Sequence, residues 1–155
     1  MAFIKDLMHT DVVTVTADQP VLEVAKKMAA QKIGAVLITS GDNELEGVFS
    51  ERDLLARVIA EGKDPASTKV GDVATRDVAT VAPDTHIKQC ADLLREKRIR
   101  HLPVVGGGTL GIISTRDFFG YLAEKLESFI DRARYEKQLD EGVDPYDHIG
   151  GSYDR

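Results

Sequence analysis

The stretch Gly47-Val48-Phe49-Ser50-Glu51-Arg52-Asp53 has a second copy later in the chain, Gly111-Ile112-Ile113-Ser114-Thr115-Arg116-Asp117. In both copies a glycine and two apolar residues precede Ser-x-Arg-Asp. Short apolar runs bounded by turn residues are typical of strands, and a serine that precedes a helix is a frequent N-cap. The motif therefore predicts, at two places in the chain, a strand that leads directly into a helix.

The two motif copies belong to a longer internal repeat, because residues 4–39 align without gaps on residues 70–105. Duplication of this kind indicates one supersecondary unit that is used twice. We predict four segments: a first repeat at 3–62, a linker at 63–69, a second repeat at 70–125, and a helix extension with an acidic tail at 126–155.

Each repeat has the same order of predicted elements. In the first repeat, Asp18 is expected to cap a helix that has Pro20 in its first turn. The elements are a short strand at 12–15, this helix, two strands at 33–39 and 45–49 that should form a hairpin, and a helix at 51–61. The fold class is α/β (α+β), with two βαββα repeats packed about a pseudo-twofold axis.

The composition is that of a globular protein, and it excludes several classes. Of the 155 residues 43% are apolar and 30% are charged, and the longest apolar run, at 33–38, is too short to span a membrane. The first residues lack the apolar region of a secretory signal. A single cysteine excludes an internal disulfide and favours the cytoplasm. A net charge of −6 argues against a nucleic-acid partner.

One stretch of this acidic chain is basic: Arg95, Lys97, Arg98 and Arg100 are followed by His101. A local excess of cations is consistent with one anion site. On charge alone, a solvated helix end explains it as well, because cations suit the dipole at a helix C-terminus.

The last predicted helix, from Thr115 to about Leu139, is longer than its counterpart in the first repeat. Apolar residues recur along it at helical spacing: Phe118, Phe119, Leu122, Leu126, Phe129, Ile130 and Ala133. An apolar face that exceeds the needs of its own repeat predicts a subunit contact. The alternative is that this helix folds back on its own chain. The acidic tail that follows is expected to be mobile, or to lie on another surface.

The Ser-x-Arg-Asp motif has two interpretations. Ser50 and Asp53 are spaced as in a helix capping box, although Glu or Gln is the usual third helical residue. Alternatively, they bind a ligand: Gly47 and Gly111 would let it approach the backbone, and the helix N-terminus offers N–H groups to an anion. An aspartate can accept hydrogen bonds from both hydroxyls of a ribose.

The duplicated arrangement resembles a tandem pair of cystathionine β-synthase (CBS) domains, a Bateman module, over about residues 3–125. The resemblance implies a cleft that binds an adenine nucleotide (AMP, ADP or ATP), NAD(H) or S-adenosylmethionine, with no metal required. It also implies a homodimer that pairs through its repeat helices, and here through the C-terminal helix as well.

The resemblance further implies which residues bind the ligand. Asp53 would hold a ribose, with Ser50 nearer the phosphate, and Asp117 and Ser114 would do the same in a second site. Adenine is expected against Val13, Thr14, Val15, Ile33, Gly34 and Ala35 in the first site, and against Ala79, Thr80, Val81, Arg100, His101 and Leu102 in the second. Arg52 and Arg116 are candidates for an anion contact or for the surface, and Pro103 is expected to end strand pairing or to keep an edge.

No other chemistry is indicated. Cys90 aligns with Val24 on an apolar helix face and is expected in the core. The four histidines lack metal-ligand spacing, and there is no phosphate-binding glycine loop and no nucleophile with a nearby base. The sequence therefore predicts a free-standing, non-catalytic module that senses adenosyl ligands for an unknown target protein. The alternative is a dimeric interaction adaptor with vestigial clefts.

Overall fold

The two repeats form a pair of β-hairpins, each flanked by helices. The computed structural model describes residues 2–142, and the expectation for the acidic tail falls almost wholly outside them. The elements are a 3-10 turn (Ile4–Asp6), β1 (Thr14–Val15), α1 (Val21–Gln31), β2 (Ala35–Thr39), β3 (Leu45–Ser50), α2 (Glu51–Asp53) continued by π-helical Leu54–Ile59, α3 (Val70–Val73), α4 (Ile87–Lys97), β4 (His101–Gly106), β5 (Thr109–Ser114) and α5 (Thr115–Asp140).

Strand pairing follows the predicted hairpins. β2 pairs antiparallel with β3 and parallel with β1, so the first sheet has the order β1-β2-β3. β4 pairs antiparallel with β5, and the first strand of the second repeat is reduced to one parallel bridge between Val81 and Val104. Pairing does not end at Pro103, as one expectation had it, because β4 continues to Gly106 and the Pro103 carbonyl accepts the Val81 N–H at 3.1 Å.

The N-terminus of α1 differs from the prediction that Asp18 caps it. The Asp18 carboxylate accepts from the Thr16 hydroxyl at 2.6 Å, which lowers the pKa of Asp18. Pro20 is still extended, so the helix begins at Val21. The N–H of Val21 instead donates to the Thr68 carbonyl of the linker at 2.9 Å.

The opening segment of each repeat docks on the other repeat. The Ile4 N–H donates to the Thr85 carbonyl at 2.9 Å, and at the equivalent place in the alignment the Val70 N–H donates to the Gln19 carbonyl, also at 2.9 Å. The same exchange continues along both segments, where Lys5 and Gly71 donate to carbonyls of the opposite repeat. This reciprocal pattern is what a pseudo-twofold relation between the repeats requires.

Two motif glycines make this exchange possible. The backbones of Val48 and Thr75 exchange two hydrogen bonds of 2.9 Å each, as do those of Ile112 and His9. A Cβ on Gly47 would lie 2.7 Å from the Thr75 carbonyl oxygen, and one on Gly111 would lie 2.9 Å from that of His9. The expectation that these glycines admit a ligand is wrong, since the backbone that approaches them belongs to the other repeat.

The sheet of the first repeat is buried on both faces, because all five residues of β2 are buried. One face packs with α1 and with α3 of the crossing segment, in a core that includes Val24, Val36, Ile38, Phe49 and Val70. On the other face, Ala35, Leu37 and Val48 pack against partly buried residues of the second repeat, among them Leu110 and Ile112. The contact between the repeats is therefore itself apolar core. Cys90 is fully buried, and burial raises the pKa of its thiol to about 11.

The chain divides into two compact units, Met1–Thr115 and Arg116–Arg155. The second contains most of α5, whose span agrees with the predicted helix, and none of the α5 residues is buried. Large apolar side chains are exposed along it: Phe119, Leu122, Leu126, Phe129 and Ile130. Within the described part of the chain, no helix is both long and apolar enough to cross a membrane.

We expect Gly47→Ala to destabilise the protein by about 1 to 3 kcal/mol, the usual cost of forcing extra atoms into a packed site. The new Cβ would separate the Val48 and Thr75 backbones, which pair across the repeats. Gly41→Ala is the matched control, because no atom lies within 4 Å of a Cβ there. Urea unfolding measures both free energies, and equal values for the two variants would contradict this role of Gly47.

Candidate functional site

A cavity of about 480 Å³ lies between the two repeats, inside the first unit. The first repeat contributes the end of β3 and the helix that follows it. The second repeat contributes the segment after α3 and the link between α4 and β4. The lining residues are Val48, Ser50, Arg52, Asp53, Ala56, Arg57, Thr75, Asp77, Val78, Ala79, Lys97, Ile99, Arg100 and His101.

Six of the predicted site residues line this cavity, but in a different grouping from the expected one. They are Ser50, Arg52, Asp53, Ala79, Arg100 and His101. The sequence analysis paired Asp53 with residues 13–15 and 33–35 of its own repeat. The structure pairs it with the second repeat, because the pairing of Thr75 with Val48 brings the segment after α3 to the end of β3.

Ser50 and Asp53 form the capping box that one interpretation of the motif predicted. The Asp53 carboxylate accepts from the Ser50 N–H at 2.9 Å and from the Ser50 hydroxyl at 3.1 Å, while the Asp53 N–H donates to that hydroxyl at 3.4 Å. The Asp53 carboxylate reaches the Ser50 N–H although aspartate is shorter than the glutamate usual at this position. Because both residues also line the cavity, capping and ligand binding are compatible at this position.

The Asp53 carboxylate is also fixed from the helix that follows it. Its side chain is 10% exposed, and its second oxygen lies 3.5 Å from Nε of Arg57. The Arg57 guanidinium also donates to the Ala74 carbonyl at 3.0 Å. Arg57 therefore joins Asp53 on one wall of the cavity to the segment that leads into the other wall, which begins at Thr75.

The helix that carries Arg57 is of the π type from Leu54 to Ile59, and its Ala60 N–H donates to the Leu55 carbonyl at 2.9 Å. Isolated π turns are rare and occur frequently at functional sites. This wider turn begins immediately after Asp53, on the cavity wall.

The cavity is cationic within an acidic protein. Four of its lining side chains are Lys or Arg and two are Asp. The Arg52 guanidinium donates to the Arg98 carbonyl at 3.0 Å, where Arg98 ends α4 with a left-handed backbone (φ 53°). The side chains of Lys97 and Arg100 make neither a hydrogen bond nor an ion pair within residues 2–142. This arrangement favours the anion-site interpretation of the basic stretch, because two cations face an open space.

Sequence reasoning missed three cavity residues that carry charge, Arg57, Lys97 and Asp77. Lys97 stood in the basic stretch, and Arg57 follows Asp53 by one helical turn, a spacing that permits an ion pair. Asp77 gave no signal, because only the crossing of the chain between the repeats brings it to the cavity.

The remaining predicted residues lie elsewhere, and their role in ligand binding stays a prediction. Thr80 and Val81 line a separate groove beside α4. Val15, Ala35, Leu102 and Pro103 are buried. Val13, Thr14, Ile33 and Gly34 are half-buried and lie outside the cavity lining, and the Gly34 carbonyl accepts the Glu51 N–H at 3.0 Å. Ser114 ends β5, and Arg116 and Asp117 lie in the first turn of α5.

In the part of the chain that the structure describes, no group of three or more His, Cys, Asp and Glu side chains is placed to hold an ion. The polar groups of the cavity are instead suited to a ligand that combines hydroxyl donors with negative charge.

Comparison with known proteins gives consistent matches. A family model described as CBS domain matches residues 4–60 and 70–124, well over half of the chain. The mitochondrial CBS domain-containing protein CBSX3 of Arabidopsis thaliana is 36% identical over 107 residues, which are 66% of this chain and 52% of that protein. The chain thus spans about half the length of this relative.

Solved structures share the fold. A CBS-domain containing protein from Agrobacterium tumefaciens has 35% identity and a TM-score of 0.72, and the match covers 77% of this chain and 98% of that one. The CBS domain pair of protein MJ0100, solved with 5′-methylthioadenosine and S-adenosyl-L-methionine, has 22% identity and a TM-score of 0.71, and the match covers 78% of this chain and 99% of that one.

Proposed function

The chain belongs to the CBS domain family, and we propose that this pair of repeats binds an adenine nucleotide or related adenosyl ligand in the cavity between them. The observation that carries the proposal is the meeting of Ser50 and Asp53 with Lys97 and Arg100 in one cavity. The protein then acts as a sensor that regulates a target protein and performs no catalysis itself. Its single cysteine favours the cytoplasm as its location.

The chemistry of the cavity suits the three parts of a nucleotide. Its apolar wall, which includes Val48, Val78 and Ile99, would cover an adenine. The Asp53 carboxylate can accept from ribose hydroxyls. Lys97 and Arg100 would then meet phosphate oxygens, where charge-assisted hydrogen bonds are strong.

The known ligands of a structural relative support the adenosyl class. The pair from MJ0100 was solved with two adenosyl compounds, and neither carries phosphate. The cations of the present cavity favour AMP, ADP or ATP over such ligands.

The four sequence segments, with repeats at 3–62 and 70–125, remain our proposed domain boundaries.

We expect Asp53→Asn to weaken adenosine and AMP binding by about 10- to 100-fold, because a hydrogen bond to a charged group contributes about 1.5 to 3 kcal/mol. Calorimetry with adenosine, AMP, ADP, ATP, NAD and S-adenosylmethionine identifies the ligand first. Asp6→Asn is the matched control, since the Asp6 carboxylate likewise accepts from the N–H three residues before it and lies outside the cavity lining. Equal affinities in the wild type and Asp53→Asn would refute the ribose contact.

A second variant tests the phosphate preference. Arg100→Ala should lower ATP affinity by about tenfold and leave adenosine affinity nearly unchanged, because a charge-assisted hydrogen bond is lost only with phosphate. The difference should shrink as salt rises. Arg95→Ala is the control, because Arg95 pairs with Asp92 on the exposed side of α4. An equal loss for adenosine and ATP would contradict the phosphate role.

We also propose that the protein is a homodimer in which α5 and the exposed Leu55 and Ile59 contribute to the contact. Leu126 and Phe129 are 56% and 68% exposed, and each apolar side chain of this size gains about 1.5 to 3 kcal/mol on burial. The competing candidate, an adaptor with vestigial clefts, would also be a dimer but would bind no nucleotide.

Light scattering should therefore give the mass of two chains for the wild type. The double variant Leu126→Asp, Phe129→Asp should give a monomer or an aggregate, because two charges would enter the contact. Ser128→Asp adds a charge between these positions on the polar side of the helix, and should leave the dimer intact. A wild-type mass of 17.0 kDa, that of a single chain, would disprove the dimer.

A further inference from the structure

Within residues 2–142, Arg57 is the one side chain that contacts both the candidate ribose carboxylate and the segment that crosses between the repeats. Its Nε lies 3.5 Å from Asp53, and its Nη1 donates to the Ala74 carbonyl at 3.0 Å. The next residue, Thr75, pairs with Val48, and both Thr75 and Asp77 line the cavity. A planar guanidinium can make these two contacts together because its donors are fixed in a fork.

We propose that Arg57 is a positioning residue that couples the Asp53 carboxylate, through the Ala74 carbonyl, to the cavity wall formed by Thr75, Asp77, Val78 and Ala79 of the second repeat. The inference rests on the proposed function, because it concerns the same ligand site. The Ser50 N–H and hydroxyl already hold one oxygen of Asp53, and Arg57 faces the other. The carboxylate is therefore held in one orientation before a ligand arrives.

This coupling has a consequence for signalling. A ligand hydroxyl that binds Asp53 joins the same network as the Ala74 carbonyl, so occupancy of the cavity tightens the segment between the repeats. The second copy has Tyr121 four residues after Asp117, where the first has Arg57 after Asp53. A tyrosine has no forked cationic group, so the coupling through an arginine is specific to the first copy of the motif.

A direct phosphate contact is the competing role for Arg57, since its side chain is 48% exposed and lines the cavity. Adenosine separates the two roles, because it has the ribose but no phosphate. A positioning residue affects adenosine and ATP by the same factor, whereas a phosphate ligand affects ATP alone.

Calorimetry should show that Arg57→Met, which keeps the stem but removes the donors, weakens adenosine and ATP equally, by about tenfold for one charge-assisted contact. Arg57→Lys should not restore the affinity, because a single ammonium cannot replace the fork. A loss for ATP alone, no loss for either ligand, or full rescue by lysine would overturn the proposal.

Amide hydrogen exchange of residues 70–79 supplies a readout that needs no ligand. Exchange should be faster in Arg57→Met than in the wild type, and adenosine should slow it in the wild type only. Arg76→Met is the matched control, because the Arg76 guanidinium donates to the Gly71 carbonyl of the same segment at 2.9 Å but lies outside the cavity lining. If Arg76→Met weakens adenosine as much as Arg57→Met does, general loosening explains the effect and the positioning role is wrong.

The two proposals fail separately. A wild-type protein that binds none of the adenosyl compounds refutes the proposed function, while the exchange of the ligand-free protein still tests the link from Arg57 to Ala74. A wild type that binds adenosine, with unchanged affinity and exchange in Arg57→Met, refutes only the positioning role.

Discussion

The backbone pairing of Val48 with Thr75, and of Ile112 with His9, is the constraint on which the remaining structure depends. These four residues join the opening segment of each repeat to the last strand of the other by hydrogen bonds of 2.9 Å. Without this exchange, β2 would expose the apolar face that packs against Leu110 and Ile112 of the second repeat. A unit of about 60 residues buries too little surface to be comfortably stable alone, so reciprocal docking stabilises both repeats together.

The same exchange creates the cavity. It brings Thr75, Asp77 and Ala79 of the second repeat to the end of β3, where Ser50 and Asp53 cap the following helix. The carboxylate thus has a structural contact on one oxygen and faces Arg57 with the other. Capping and binding do not compete, because a carboxylate has enough lone pairs for several donors. A sequence motif that predicts a helix cap can therefore also contribute to a ligand site.

The two repeats are alike in backbone and unlike in charge. The link between helix and strand reads Ile33-Gly34-Ala35 in the first repeat and Ile99-Arg100-His101 in the second, so the aligned link has a cationic side chain in the second repeat only. The same backbone arrangement thus occurs twice, and the residues at these two aligned positions give the copies different charge. Arg100 can carry a long cationic side chain because its position is exposed, whereas Gly47 and Gly111 must leave room for a carbonyl oxygen.

The sequence alone determined the duplication, the two hairpins, the long last helix and the family, because apolar periodicity and turn residues act locally and the motif occurs twice. It also predicted Ser50, Asp53, Arg100 and His101 as site residues, and all four line the cavity. Only the tertiary structure decided that Asp53 faces Ala79 instead of its own first strand, that Pro20 precedes the first helical residue, and that Arg57 and Asp77 line the cavity. These features depend on which repeat each opening segment docks against, and such a contact between distant residues leaves no periodic trace in the sequence.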